Sequence, residues 1–152
     1  MSEHHTITTG SSPEQVGLAL LTTAHNIREE VDRHMISATG ISLSRTKVLQ
    51  ALAAHGTVHQ ARLADILGQA PRSVTQAVES LERLGLIDRT GNAEDRRRKT
   101  VSLTTTGRTA LAAAERAGEH VLRQIFGSLA PQQLTDLETL LTLINPPRSH
   151  TG

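Results

Sequence analysis

Two short stretches of this chain carry side chains suited to binding a polyanion. The first is Glu94-Asp95-Arg96-Arg97-Arg98-Lys99, four adjacent cations behind two acids. Neighbouring cations repel one another, and an anionic partner offsets that repulsion. Between Arg89 and Lys99 lie five cations and two anions, in a chain whose formal net charge is only +1. One concentrated basic loop on a near-neutral protein suits local contact with nucleic acid. An arginine at its tip suits the narrow, negative minor groove of double-stranded DNA. The second stretch is Arg72-Ser73-Val74-Thr75-Gln76. Arg72, Ser73, Thr75 and Gln76 are the residue types that hydrogen-bond phosphates and base edges.

The elements that must position these residues follow from hydrophobic spacing and from Gly and Pro punctuation. Ser12-Pro13-Glu14 is a helix start, with an N-cap serine, proline at the first position and an acid near the positive end. Val16, Leu20, Ile27, Val31 and Met35 continue it as a long amphipathic helix to about Ser37, which Thr39-Gly40 breaks. Shorter helices are predicted over 44–54 and 60–67, stopped by Gly56 and Gly68. Ala70-Pro71 opens a fourth helix, which runs to Leu84 and ends at Gly85. On it Val74, Val78 and Leu81 share one face, while Arg72, Gln76, Glu79 and Arg83 share the opposite one. Taken alone, that opposite face is equally a solvated surface; the charged hairpin that follows decides for DNA. Leu86 to Arg89 and Thr100 to Leu103 alternate as strands of this hairpin, with the basic stretch at its tip. A fifth helix from Thr104 or Thr105 to Phe126 and a sixth from Pro131 to Ile144 complete the order.

Two helices, a tight turn, a helix and a charged hairpin form the plan of a winged helix-turn-helix. The expected class is mainly α with a small β-hairpin. The winged domain is expected at residues 43–104, dimerisation helices at 12–40 and 105–145, and disordered tails at 1–11 and 146–152. The aliphatic stripes of the first and last helices need cover, either from a second copy or from each other.

Composition narrows the function further. The chain has no cysteine, which excludes disulfides, thiol redox sensing, Cys-ligated zinc and Cys nucleophiles. Phe126 is the only Phe, Tyr or Trp among 152 residues, so the core is built from Leu, Ile, Val and Ala. The stretch from Met1 to Ser12 lacks the apolar region of a secretory signal, and no apolar run approaches the roughly 20 residues of a membrane span. A soluble cytoplasmic protein with no membrane contact is expected. There is no nucleophile elbow, phosphate-binding glycine loop or metal motif, so an enzyme such as a small His/Asp hydrolase is not expected.

Eight histidines raise the question of metal. His4 and His5 sit in the tail. His55 and His59 straddle Gly56. His25 and His34 are nine residues apart on the first helix and face opposite sides, and His120 stands alone. Solvated or core histidines and a zinc site are both readings of this set; no HxxxH falls on a confident helix. Neither a cofactor nor a metal ligand is assigned. His25, Arg28 and Arg45 are candidates for an effector pocket near the first two helices.

Leu63-Ala64, Pro71-Arg72-Ser73-Val74-Thr75, Leu81-Glu82, Gly85-Leu86-Ile87, Arg89, Asp95-Arg96-Arg97, Val101, Leu103-Thr104 and Gly107 together resemble the multiple-antibiotic-resistance regulator (MarR) family. The likeness is dense over 61–111, and the flanking helices match in order and length. The Asp-x-Arg wing followed by Leu-Thr-x-x-Gly is its most specific part. The resemblance implies a homodimer paired through its terminal helices and bound to a pseudo-palindromic operator. It implies that Arg97 is the wing arginine of the minor groove, that Asp95 orients the wing, and that Arg72, Ser73, Thr75 and Gln76 read the major groove. It implies that Asp65, at a frequent acidic position, buttresses the wing or its arginine. Many members are repressors released by a small, often phenolic, effector between the DNA-binding and dimer regions, in a pocket often lined by aromatics. The expected function is a transcriptional repressor of this kind. The alternatives are a zinc-responsive regulator of the same fold and a winged helix used for protein–protein contact.

Overall fold

The computed structural model describes residues 10–91 and 99–146. Among them the chain runs α1 (Pro13–Thr39), α2 (Leu43–His55), β1 (Val58–His59), α3 (Gln60–Leu67), α4 (Pro71–Arg83), β2 (Ile87–Thr90), β3 (Thr100–Leu103), α5 (Thr105–Phe126) and α6 (Pro131–Ile144). This is the expected mainly α, winged-helix order with one addition, the short strand β1. The expected tails and the wing tip fall largely outside the described residues. Among the described residues, no helix is long and apolar enough to cross a membrane.

Local chemistry sets the helix ends. The Ser12 hydroxyl accepts from Gln15 N–H at 3.2 Å, and the Gln15 side chain accepts from Ser12 N–H at 3.1 Å, forming a capping box around Pro13. At the other end of α1, Gly40 takes φ +73° and its N–H donates to the Ile36 carbonyl, a left-handed stop that favours glycine. Asp32 of α1 then accepts from Leu43 N–H at 2.7 Å, so one helix caps the start of the next.

The expected hairpin is part of a three-stranded antiparallel sheet, in the order β1-β3-β2. Ile87 lies opposite Leu103 and Thr90 opposite Thr100, while Val58 lies opposite Val101 on the other edge of β3. Two residues are too few to show a period of two in sequence, so β1 is visible only once β3 is there to pair with it.

Two apolar clusters hold the chain together. The larger joins α2, α3, α4, the sheet and the start of α5 through residues such as Leu49, Leu63, Val74, Val78, Leu81, Ile87, Val101 and Leu111. Val74, Val78 and Leu81 are fully buried, as the helical spacing predicts; each contributes about 1.5–3 kcal/mol. The smaller cluster packs Val31 and Met35 of α1 on Ala114 and Val121 of α5.

The Leu103-Thr104-x-x-Gly107 motif joins the winged domain to α5. The Thr104 hydroxyl accepts from Gly107 N–H at 2.9 Å and donates to the Gly85 carbonyl at 2.7 Å. Thr104 N–H donates to the Leu86 carbonyl at 3.1 Å. A Cβ on Gly107 would collide with that same Leu86 oxygen, so glycine is needed there for close approach.

The amphipathic expectation for α1 holds only in its C-terminal part. Val31 and Met35 are buried, but Val16 is 50% exposed, and Leu18 and Leu21 more so. No residue of α6 is buried. The two stripes therefore do not cover each other within one chain, which removes one of the two covers expected for them. They flank a groove of about 670 Å³ that includes Leu20, Leu21, Phe126, Leu137 and Leu141.

Candidate nucleic-acid interface

The face of α4 opposite its buried stripe is open. Arg72, Ser73, Gln76, Glu79 and Arg83 are all exposed, on a helix whose Ala70 cap supplies no side-chain hydrogen bond. The first-turn N–H groups are thus left for an outside acceptor, and the dipole there favours an anion. Thr75 differs from its neighbours. It is half-buried, its hydroxyl donates to the Pro71 carbonyl at 2.9 Å, and it accepts from the Gln60 side-chain amide at 2.9 Å. Arg72, Ser73 and Gln76 therefore form the free part of the expected reading surface, with Thr75 braced behind them.

Arg89 was grouped by sequence with the cations of the basic loop, but the fold uses it inside the protein. Its Nε and Nη2 donate to the two Glu82 oxygens at 3.2 and 3.3 Å, and Nη1 lies 4.0 Å from Glu79. The Arg89 side chain is 16% exposed. The acids on the C-terminal half of α4, which would repel phosphate, are thereby partly neutralised, and the helix is tied to β2. That pairing depends on the approach of α4 and β2 and has no local sequence signal.

At the base of the wing the Thr90 and Thr100 hydroxyls lie 2.7 Å apart across the strands. Lys99 is half-buried at the root of β3, and its carbonyl accepts from Gln60 N–H at 2.9 Å. Asp95, Arg96, Arg97 and Arg98 lie outside the described residues. Asp65 is exposed on α3.

Arg28 lines a polar cleft of about 220 Å³ with Glu29, Asp32, Leu43, Ser44, Lys47 and Gln69, where α1 meets α2 and the α3–α4 turn. His25 and Arg45 are not among its lining residues. A second, more apolar cleft of about 370 Å³ lies between α1, α2 and α5, walled by Met35, Leu43, Thr46, Ala114, Gly118 and Leu122 among others. Its lining also includes Gln50, Glu115 and Glu119, so an aliphatic wall meets a polar, acidic one, and none of these residues carries an aromatic ring; the sequence reading missed it because its residues come from three separate helices.

The histidine reading needs one correction. His120 is not alone: its ring stacks on that of His34, with centroids 5.7 Å apart and planes 28° apart. The partners are far apart in sequence, on α5 and α1, so spacing within either helix does not reveal them. Among the described residues, no three His, Asp or Glu side chains gather as metal ligands do.

Residues 39–98 match the model of the MarR family. A helix-turn-helix transcriptional regulator of Bacillus subtilis, YfiV, is 28% identical over 93 residues, which is 61% of this chain and 58% of that protein. The chain thus matches under two thirds of the length of that relative. The C80S mutant of Escherichia coli MarR superposes over 90% of this chain and 99% of its own, with a TM-score of 0.74 and 20% identity. The same mutant solved with operator DNA gives a TM-score of 0.67 at 21% identity, over 90% of this chain and all of that one. The segment at residues 39–98 thus belongs to the MarR family, and the chain that carries it has the winged-helix fold of the MarR regulators.

Proposed function

We propose that this chain is a sequence-specific DNA-binding transcription regulator that acts as a homodimer on a pseudo-palindromic operator and represses there. The observation that carries this reading is the open first turn of α4, presenting Arg72, Ser73 and Gln76 beside the root of a basic wing. A neighbour of the same fold solved with operator DNA supports it. In this reading α4 enters the major groove and the wing follows the backbone into the minor groove, with Arg97 inserted, Asp95 orienting it, and Arg96, Arg98 and Lys99 on phosphates. Residues 43–104 form the reading domain. Residues 12–40 and 105–145 pair with a second copy, which supplies cover for the exposed leucines of α1 and α6. Such a regulator works in the cytoplasm.

A small-molecule effector would act where the reading and pairing regions meet. The cleft between α1, α2 and α5 fits that role better than the set His25, Arg28 and Arg45, because its lining belongs to both regions and combines Val31, Met35, Leu43, Ala114 and Leu122 with a few polar groups, Thr46, Gln50, Glu115 and Glu119. Gly118→Val would fill it, since a Cβ there already lies 3.4 Å from Met35 Sδ. A thermal-shift screen of phenolic compounds on wild type and this variant tests the site; a ligand that stabilises both equally would place the effector elsewhere.

The experiment for the main reading is selection from a random DNA pool by the full chain. Enrichment of two inverted half-sites about one helical turn apart is expected. No enrichment, or a motif without inverted symmetry, would count against it.

A further inference from the structure

The recognition helix is tied to the wing sheet near both ends. Toward its C-terminus the tie is the Arg89–Glu82 pair. Toward its N-terminus the tie runs through a single residue, Gln60, the first of α3. The Gln60 N–H donates to the Lys99 carbonyl at 2.9 Å, at the root of the wing strand. The Gln60 Nε2 donates to Thr75 Oγ1 at 2.9 Å. Thr75 passes the chain on to the Pro71 carbonyl, also at 2.9 Å, in the first turn of α4. Three hydrogen bonds thus link the wing root to the turn that carries Arg72 and Ser73.

The other half of this amide has a different status. Gln60 Oε1 is buried and has no hydrogen-bond partner among the described residues. A buried acceptor left unpaired lowers stability, and an apolar side chain of similar size would not carry that cost. Stability alone therefore does not favour glutamine here, whereas the link made by its Nε2 requires a donor of that reach.

We propose that Gln60 is a positioning residue that sets the first turn of α4 against the wing root, so that the helix and the wing meet DNA in one register. The proposal rests on the DNA-binding reading above and deepens it. Gln60 acts through Thr75 and makes no contact with DNA itself.

The test uses the whole chain, in the assembly it forms in solution, carrying Gln60→Leu. The probes are the duplex that wild type enriches from a random pool and a scrambled duplex of equal length and composition. Loss of one positioning hydrogen bond predicts a roughly three- to tenfold weaker grip on the selected duplex. Binding to the scrambled duplex and the salt dependence stay as in wild type, because no phosphate contact is removed. The melting temperature is equal to or above that of wild type, because the unpaired acceptor is gone. Thr75→Val breaks the same bond from its more exposed side. It also weakens binding to the selected duplex, and adding Gln60→Leu to it costs little more. Wild-type affinity in Gln60→Leu, an equal loss on both duplexes, a fall in melting temperature alongside affinity, or full additivity with Thr75→Val each overturns the proposal while leaving DNA binding intact. Should Gln60→Leu not fold, wild-type binding by Thr75→Val overturns it alone. If wild type itself enriches no duplex, the DNA-binding reading falls and takes the positioning role with it.

Discussion

Arg89 of β2 holds Glu82 of α4 in a fork, Nε on one carboxylate oxygen at 3.2 Å and Nη2 on the other at 3.3 Å. The arginine is mostly buried and the glutamate partly so, which places the pair between a weak surface bridge and a strong buried one. Glu82→Ala leaves the guanidinium without its main partner. We expect a loss of about 1–2 kcal/mol in urea unfolding, seen as a melting temperature lower by a few degrees. Stability equal to that of wild type would show that the fork contributes nothing net.

Gly107→Ala asks a helix to accept a methyl group where the Leu86 carbonyl already sits. The Leu103 side chain crowds the same point at 3.2 Å. A backbone oxygen cannot swing aside as a flexible side chain can, so α5 must shift on the winged domain. The expected cost is about 1–3 kcal/mol, toward the upper end, measured by chemical denaturation. A neutral result would mean that the Thr104 junction is looser than its hydrogen bonds indicate.

The DNA contacts proposed for Arg97, Arg72 and Lys99 divide by type. Arg97→Ala is expected to weaken operator binding by about 1–3 kcal/mol. Arg72→Ala should relax sequence preference at the base step it faces. Lys99→Ala should weaken all sequences alike and reduce the slope of affinity against salt by about one. Binding titrations on selected and scrambled duplexes at several salt concentrations separate the three. Equal operator affinity for Arg97→Ala and wild type would remove the wing assignment.

The exposed leucines give a prediction about assembly. Wild type should sediment as two chains at micromolar concentration. Leu21 and Leu141 line the α1–α6 groove and are 69% and 42% exposed, so glutamate at both is tolerated by a single folded chain. The double variant Leu21→Glu/Leu141→Glu should sediment as one chain and lose high-affinity operator binding. A monomeric wild type would remove the symmetry argument for a palindromic site.

Much of the fold could be read from the chain because its signals are local. Ser12-Pro13 starts a helix and Gly85, at φ +73°, ends one, whatever lies elsewhere in the molecule. The spacing of Val74, Val78 and Leu81 set which face of α4 is buried, and thereby which face is open. Features made by distant approach could not be read in that way. The β1–β3 pairing, the Arg89–Glu82 fork, the His34–His120 stack and the Gln60–Thr75 bond each join residues on separate elements. For Arg89 the local reading pointed the wrong way, because charge density along the sequence does not reveal a carboxylate brought in from the preceding helix. The exposure of α1 was also misjudged in part, since an apolar stripe does not say which neighbour covers it.

One continuous helix passes through both cores. Leu111 of α5 belongs to the larger cluster and Ala114, a turn later, to the smaller. With 22 residues, α5 is a rod of about 33 Å. It is clamped at one end by the Thr104 junction and gripped along its middle by α1. A rod held in this way works as a lever. A tilt of about 5° at its C-terminal end carries the end at the winged domain through about 3 Å, close to the ~3.4 Å rise of one base step. In the proposed dimer, the angle at which two copies meet would therefore be a ruler for the separation of two stretches of DNA, graduated in base pairs.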